Sequence, residues 1–447
     1  MTTTTRAVRT GVTSAAACAG VLLALAGLAP LAAAQPCGPW ETFVTPSPTG
    51  VTRVILRDID VVAPDLVVAV GDYTAGGLIR PIAVRWDGAS WELIDLPRGS
   101  EFSDSHAFVI ESVSPGEIYI GGLREFSPPG GFWGVHNTVW RSTDGGRTWS
   151  ILPTPVLGGG SGDLIDAIEI VAPDFIWFGG QGHPQPVAPL PALMFRYNGQ
   201  SFQQFPIPLV NLDTGRNAGN RITDMTSLGP SEAWAVGTTT PSAQGAADHS
   251  QIHRWNGSQW VHTPGPTPGI WNQFHAVEAV ASDDVWAAGE VWEPGVIRPF
   301  LLRWNGSAWR EVDAPAIFLD IEAFGPDDIW AVGSGVWRWD GSSWTRVESF
   351  ANIVGAAFGG LDGPAPCALW AAGREAPESN VFRGLVARVT GGRCAADLTG
   401  DGEATFHDVQ LFVGLYNAGD ARADLTGDGE FTFDDVLRFV GHYNAGC

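Results

Sequence analysis

Between residues 40 and 393 the chain alternates short apolar runs with polar turns, and two patterns return about every fifty residues. One is an aromatic or branched residue, two small or apolar residues and a glycine. It reads Val68-Ala-Val-Gly71, Tyr119-Ile-Gly-Gly122, Trp177-Phe-Gly-Gly180, Trp234-Ala-Val-Gly237, Trp286-Ala-Ala-Gly289, Trp330-Ala-Val-Gly333 and Trp370-Ala-Ala-Gly373. Several copies follow a Pro-Asp turn, as at Pro64-Asp65, Pro173-Asp174 and Pro326-Asp327. The other pattern is Arg-aromatic-Asn/Asp-Gly-x-x-aromatic. Examples are Arg85-Trp-Asp-Gly-Ala-Ser-Trp91, Arg254-Trp-Asn-Gly-Ser-Gln-Trp260 and Arg303-Trp-Asn-Gly-Ser-Ala-Trp309. Asn-Gly and Asp-Gly between apolar runs predict hairpins, since both central positions tolerate positive φ.

Each unit therefore reads as strand, Pro-Asp turn, strand, variable loop, strand, hairpin, strand. Seven such units predict an all-β, seven-bladed β-propeller. The last unit is cut short near Gly392. At the other end, Trp40-Glu-Thr-Phe-Val-Thr-Pro46 matches Trp91-Glu-Leu-Ile-Asp-Leu-Pro97 and has no partner of its own. Residues 40–46 are expected to supply the missing outer strand and close the ring, which removes exposed strand edges.

The first 34 residues differ from the rest. Arg6 and Arg9 precede an Ala/Leu-rich run ending in Ala32-Ala33-Ala34, the pattern of a secretory signal peptide. No later stretch is apolar enough to span a bilayer, so no transmembrane segment is expected in the mature chain. The expected location is extracellular or cell-surface. Beyond the signal stand Cys37, Cys367, Cys394 and Cys447, an even set that favours disulfides in an exported chain. Spacing alone leaves three pairings open. Ring closure brings Cys37 toward Cys367 and leaves Cys394 to Cys447; free or intermolecular thiols are the alternative. The net charge is −23 with every basic residue an arginine, which argues against nucleic acid and anionic membrane as partners.

The C-terminal segment changes pattern. Ala396-Asp-Leu-Thr-Gly-Asp-Gly-Glu403 recurs as Ala423-Asp-Leu-Thr-Gly-Asp-Gly-Glu430, each copy followed by an apolar run. Oxygen-bearing side chains at alternate positions, with glycine at the bend, are what Ca²⁺ needs. Counting from Asp397, the candidate ligands are Asp397, Thr399, Asp401, Glu403 (through its backbone) and Asp408, with Thr405 at the ninth position. The second copy offers Asp424, Thr426, Asp428, Glu430 and Asp435, with Thr432 in the ninth place. Val409, Leu411, Phe412 and Val413, with Val436, Leu437, Phe439 and Val440, are expected to form the apolar faces of two short helices.

These duplicated loops, 27 residues apart and each followed by one helix, resemble a dockerin; the ending Gly446-Cys447 resembles a bacterial variant of it. The resemblance implies a small α-helical, calcium-binding module over residues 394–447 and a cohesin-like or other surface-anchoring partner. Thr399 and Thr426 depart from the usual Asn or Asp, which should weaken Ca²⁺ binding. Phe406-His407 and Phe433-Asp434 depart from the Ser/Thr pair that reads cohesin. Calcium loops that merely stabilise a small domain are the plainer reading.

Within the repeats, Ser142-Thr-Asp144-Gly-Gly146-Arg-Thr148-Trp149 resembles the Asp-box of sialidases and other secreted propellers, where it braces a hairpin away from the active centre. Residues 35–393 are thus expected to be a propeller whose variable loops carry any ligand site. Loop residues able to stack on or bind a sugar are Arg124, Phe132, Trp133, His183, Arg216, Trp271 and Trp292, although most tryptophans sit at repeat positions and should pack the blades. His249 and His253 lack the glutamate of a zinc helix, and Asp283-Asp284 and Asp327-Asp328 fall in turns, so no catalytic residue is identified. The expected function is a glycan- or protein-binding propeller held outside the cell by its tail. A glycoside hydrolase or lyase, or a purely structural surface protein, are the alternatives.

Overall fold

A computed structural model describes residues 37–98, 103–126, 134–155, 163–182, 192–208, 210, 219–240, 249–348, 350–389, 396, 398, 404–423, 425 and 431–445. The repeats fold as four antiparallel strands each. In the first, Val54–Ala63, Leu66–Ala75, Leu78–Trp86 and Trp91–Ile94 pair in sequence order. The first strands of successive repeats are Val54–Ala63, Ser105–Ser114, Leu164–Ala172, Gly219–Gly229, Trp271–Ala281, Asp320–Gly325 and Ala357–Asp362. Each packs against the next and the last packs against the first, so these inner strands surround a central channel. That closed circuit of radiating sheets is a β-propeller.

The expected count of seven separate blades is corrected. Among the described residues there are five four-stranded sheets and one curled, eight-stranded sheet. The eight-stranded sheet unites two repeats through the pair Gln181↔Arg221. Arg221 is drawn there by Asp166, whose two oxygens lie 2.7 Å from its Nε and Nη2. The repeat pattern describes contacts inside one unit and carries no sign of this weld between two. The expected separate helical domain is corrected as well. The tail shows two 13-residue helices, α1 (Phe406–Ala418) and α2 (Phe433–Ala445), and residues 37–447 form one compact unit.

Trp40–Val44 pairs antiparallel with Val381–Val389 as the outer strand of the last sheet, Trp40 opposite Val389 and Val44 opposite Leu385. Cys37 is disulfide-bonded to Cys367 across 330 residues, with Cα atoms 5.2 Å apart. The expected Cys394–Cys447 pair lies outside the described residues, as does the signal segment.

The core explains the repeated aromatics. Trp177, Trp234 and Trp286 are fully buried, and each lies between the two hairpin tryptophans of the following repeat. Trp234 is 5.4 Å from Trp304 and 5.5 Å from Trp309; Trp286 is 5.4 Å from Trp339 and 6.1 Å from Trp344. The ring closes the same way, with Trp370 5.7 Å from both Trp86 and Trp91. The hairpin arginine stands directly opposite the motif aromatic, so that Arg303 lies 4.6 Å over the Trp286 ring and Arg338 5.1 Å over Trp330. Such contacts combine large apolar burial with cation–π attraction.

The hairpins differ from the expected two-residue type in one respect. Only the glycine takes positive φ, for example 86° at Gly306 and 88° at Gly341. The preceding Asn or Asp instead folds its side chain back onto the turn: Asn305 Oδ1 accepts the Ser307 and Ala308 N–H groups at 3.1 and 3.0 Å. This is an Asx turn, and it explains the residue choice without left-handed Asn. Among the described residues no helix is long and apolar enough to cross a membrane.

Candidate functional site

An open surface lies at the loop end of the sheet built from Trp271–Ala281, Asp284–Glu293, Val296–Trp304 and Trp309–Val312. Directly paired strand residues share a face. Trp271 is opposite Trp292, and Trp292 opposite Ile297; two residues inward, Gln273 is opposite Glu290, and Glu290 opposite Pro299. The result is an apolar row beside a polar one. The Trp271 and Trp292 rings meet edge to face at 5.3 Å, and Trp292 is 44 % exposed. Gln273 Nε2 donates to Glu290 Oε1 at 3.0 Å, and Trp292 Nε1 approaches the same oxygen at 3.5 Å. Ile297, opposite Trp292, is exposed on the same face. An exposed aromatic pair beside polar groups is a candidate interaction surface.

Further round the channel mouth, charges are already matched. Asp72 is buried and accepts from Arg57 Nε at 2.7 Å, while His106 Nδ1 lies 3.1 Å away. Arg57 also sits 5.3 Å over the Phe108 ring. Burial pushes the Asp166 carboxyl up, with Arg221 pulling the other way. Burial pulls the His275 imidazole down, opposed by Glu290.

Several sequence candidates have structural duties. Asp284 clamps Arg303 with both contacts at 2.7 Å, and Asp328 clamps Arg338 at 2.7 and 2.8 Å, so these acids anchor the hairpin arginines. His253 is fully buried, its Nε2 3.0 Å from Gln251 Oε1, and burial lowers its pKa to about 3. The Asp-box acts as a brace. Asp144 accepts from Thr148 N–H at 2.9 Å, Thr148 Oγ1 at 2.6 Å and Arg147 N–H at 3.1 Å. Desolvation is the largest single influence and raises its pKa, but those bonds and one from Ser142 together outweigh it and hold the value at about 2. Of the loop candidates, Arg124, Trp271 and Trp292 are described; Phe132, Trp133, His183 and Arg216 lie outside the described residues. Arg124 Nε donates to Thr138 Oγ1 at 3.1 Å. Gln273 and Glu290 were missed because their partnership depends on strand register.

In the tail, Asp408 and Asp435 are described and fully buried; Asp397, Thr399, Asp401, Glu403, Asp424, Thr426, Asp428 and Glu430 lie outside the described residues. Thr405 caps α1, and Asp408 Oδ2 accepts the Thr405 N–H at 2.8 Å and its Oγ1 at 2.9 Å. Asp435 repeats the arrangement, accepting the Thr432 N–H at 2.8 Å. A fully buried carboxylate at the same loop–helix junction in both copies fits the last ligand position of a calcium loop. Among the described residues no group of three or more His, Cys, Asp or Glu converges on a metal position. The helices meet through Phe412 and Phe439, stacked 4.1 Å apart; Val413 and Val440 are half exposed and line an open apolar groove with Val409, Phe412, Val436 and Phe439, as their place on the apolar faces implies.

No family model matches the chain, and no curated protein matches it. Solved propellers resemble its backbone path. YCF48 bound to D1 peptide aligns at 19 % identity over 79 % of this chain and 97 % of the other, with a TM-score of 0.48. A polysaccharide lyase, an ulvan lyase, aligns at 12 % identity over 77 % and 96 %, with a TM-score of 0.49. A Trypanosoma rangeli sialidase aligns at 11 % identity over 82 % and 57 %, with a TM-score of 0.41.

Proposed function

We propose that the propeller is a non-catalytic binding module that takes a glycan on the Trp271–Trp292 face. The observation that carries this reading is the exposed Trp292–Trp271 pair beside the hydrogen-bonded Glu290–Gln273 pair. A tryptophan face stacks on the apolar face of a sugar ring, and a carboxylate and an amide at its edge offer an acceptor and a donor to ring hydroxyls. The Arg57–Asp72 and Arg221–Asp166 pairs already match their own charges and leave the Trp271–Trp292 face to the ligand. Screening the full chain on a glycan array, with Trp292→Ala as comparison, tests the reading. Binding lost in the variant supports it; turnover of any chromogenic glycoside by the wild type replaces it with the hydrolase or lyase alternative.

The same proposal assigns the tail to attachment outside the cell. Asp397, Thr399, Asp401, Glu403 and Asp408, and Asp424, Thr426, Asp428, Glu430 and Asp435, would hold one Ca²⁺ per loop, as the resemblance of the duplicated loops to a dockerin implies. The matched burial of Asp408 and Asp435 supports it. Calorimetric titration with Ca²⁺ is the check, and no heat at millimolar calcium ends the assignment.

A further inference from the structure

The inner strands carry a second feature deep in the channel. One residue on each stands directly opposite the first residue of the Trp-Ala-Val-Gly-type motif: Asp60 opposite Val68, Glu111 opposite Tyr119, Glu169 opposite Trp177, Thr226 opposite Trp234, Glu278 opposite Trp286, Glu322 opposite Trp330 and Asp362 opposite Trp370. Equal register places all of them at one level of the ring. Six of the seven are carboxylates and none is basic. One level nearer the loops stand Asp58, Asp224 and Asp320, again without a cation beside them in that tier.

The two tiers do different things. Asp58, Asp224 and Asp320 spend both oxygens on backbone N–H groups. In the ring, Asp362 accepts from the Val61 and Gly363 N–H groups, Glu169 from Ser227 and Glu278 from Thr226. Asp60 is 7 % exposed; its Oδ2 is buried without a well-formed hydrogen bond, and Ser112 and Asp362 stand beside the carboxyl. Glu111, Glu169, Glu278, Glu322 and Asp362 are partly rather than fully buried. Carboxylates gathered away from bulk water must be neutralised by protons or by a counter-cation.

We propose that this ring is a cation site that holds one hydrated divalent ion on the channel axis, with Asp60, Glu111, Glu169, Glu278, Glu322 and Asp362 as its acceptors. No three of the described carboxylates converge closely enough to ligate an ion directly. Contact through retained water is the mode this leaves, and it is the habit of Mg²⁺ in particular. The site is independent of the glycan reading and of the tail loops.

The test uses the full chain with the tail silenced by Asp397→Ala and Asp424→Ala. At pH 8, Mg²⁺ or Ca²⁺ should raise the thermal midpoint saturably over EDTA, as any ligand of the folded state does. Glu111→Gln with Glu322→Gln should raise the midpoint in EDTA and abolish the response to cation. Manganese binding followed by electron paramagnetic resonance gives a second readout: one bound ion per chain in the tail-silenced protein, none in the ring variant. A midpoint indifferent to millimolar cation overturns the proposal, and so does a response retained by the ring variant. A midpoint that rises only on acidification, with no bound manganese, assigns neutralisation to shared protons instead.

Discussion

Asp224 accepts the backbone N–H of Val277 at 2.7 Å, tying one inner strand to the next. Its other oxygen takes the N–H of Met225 at 2.8 Å. Asp58 does the same for Ile110, and Asp320 for Leu361, each at 2.7 Å. Neighbouring sheets of a propeller mostly share no ladder hydrogen bonds, so a side chain supplies them. Replacing Asp224 with Ala leaves two part-buried N–H groups without their acceptor. A loss of about 1–3 kcal/mol is expected in urea unfolding, concentrated at the seam between these two strands in amide exchange.

Two tryptophans six residues apart on one strand should behave in opposite ways. Trp286 is wholly buried between Trp339 and Trp344, and Trp286→Ala should cost about 3–5 kcal/mol. Trp292 is half exposed, and Trp292→Ala should shift stability by no more than about 0.5 kcal/mol while removing glycan binding. Denaturant curves and the glycan array together check the contrast.

The channel acids set the pH dependence. Burial raises Glu169 to about 7, with Ser227 opposing, and burial followed by the Glu169 charge raises Glu278 to about 8. Asp58, Asp60, Glu111, Asp224, Asp320, Glu322 and Asp362 are also raised, burial first in every case. The folded state therefore holds more protons than the unfolded chain between the ordinary carboxylate range and about pH 8, so stability falls as pH rises through that window. In metal-free buffer the thermal midpoint should be higher at pH 5 than at pH 8 (roughly the window's two ends). Glu169→Gln should flatten the slope. Below pH 4 or so the sign reverses, because Asp144, Asp340 and Asp420, each held at about 2, lose their hydrogen bonds on protonation.

Reducing the Cys37–Cys367 bridge should destabilise the chain by roughly 2–5 kcal/mol, since it closes a loop of most of the protein. Cys37→Ser should reproduce the shift and make Trp40–Val44 the first segment released in limited proteolysis. An unchanged midpoint with reductant would show that strand pairing alone holds the seam.

The features legible in the sequence are those contained in one repeat. The Trp-Ala-Val-Gly runs, the Asp-box and the Cys37–Cys367 pairing each follow from residues whose partners the repeat itself suggests. What crosses between repeats was hidden. The Arg221–Asp166 clamp that merges two repeats into one sheet joins residues 55 apart, and no local pattern marks it. The channel acids lie in different repeats, so no cluster is visible along the chain. A signal exists nonetheless: in every repeat the ring residue stands eight positions before the motif aromatic, from Asp60 before Val68 to Asp362 before Trp370. Reading the repeats as columns would have found it. Glu290 and Gln273 needed the register of two strands, and the tail ligands other than Asp408 and Asp435 remain a reading of spacing.

The pairing of Trp40–Val44 with Val381–Val389 also orders events during folding. The first strand synthesised belongs to a sheet whose other strands are made last, so it has no native partner until nearly the whole propeller has emerged. Contacts of such long sequence separation form slowly and leave an edge exposed meanwhile. Assembly of the ring is therefore committed at its final step.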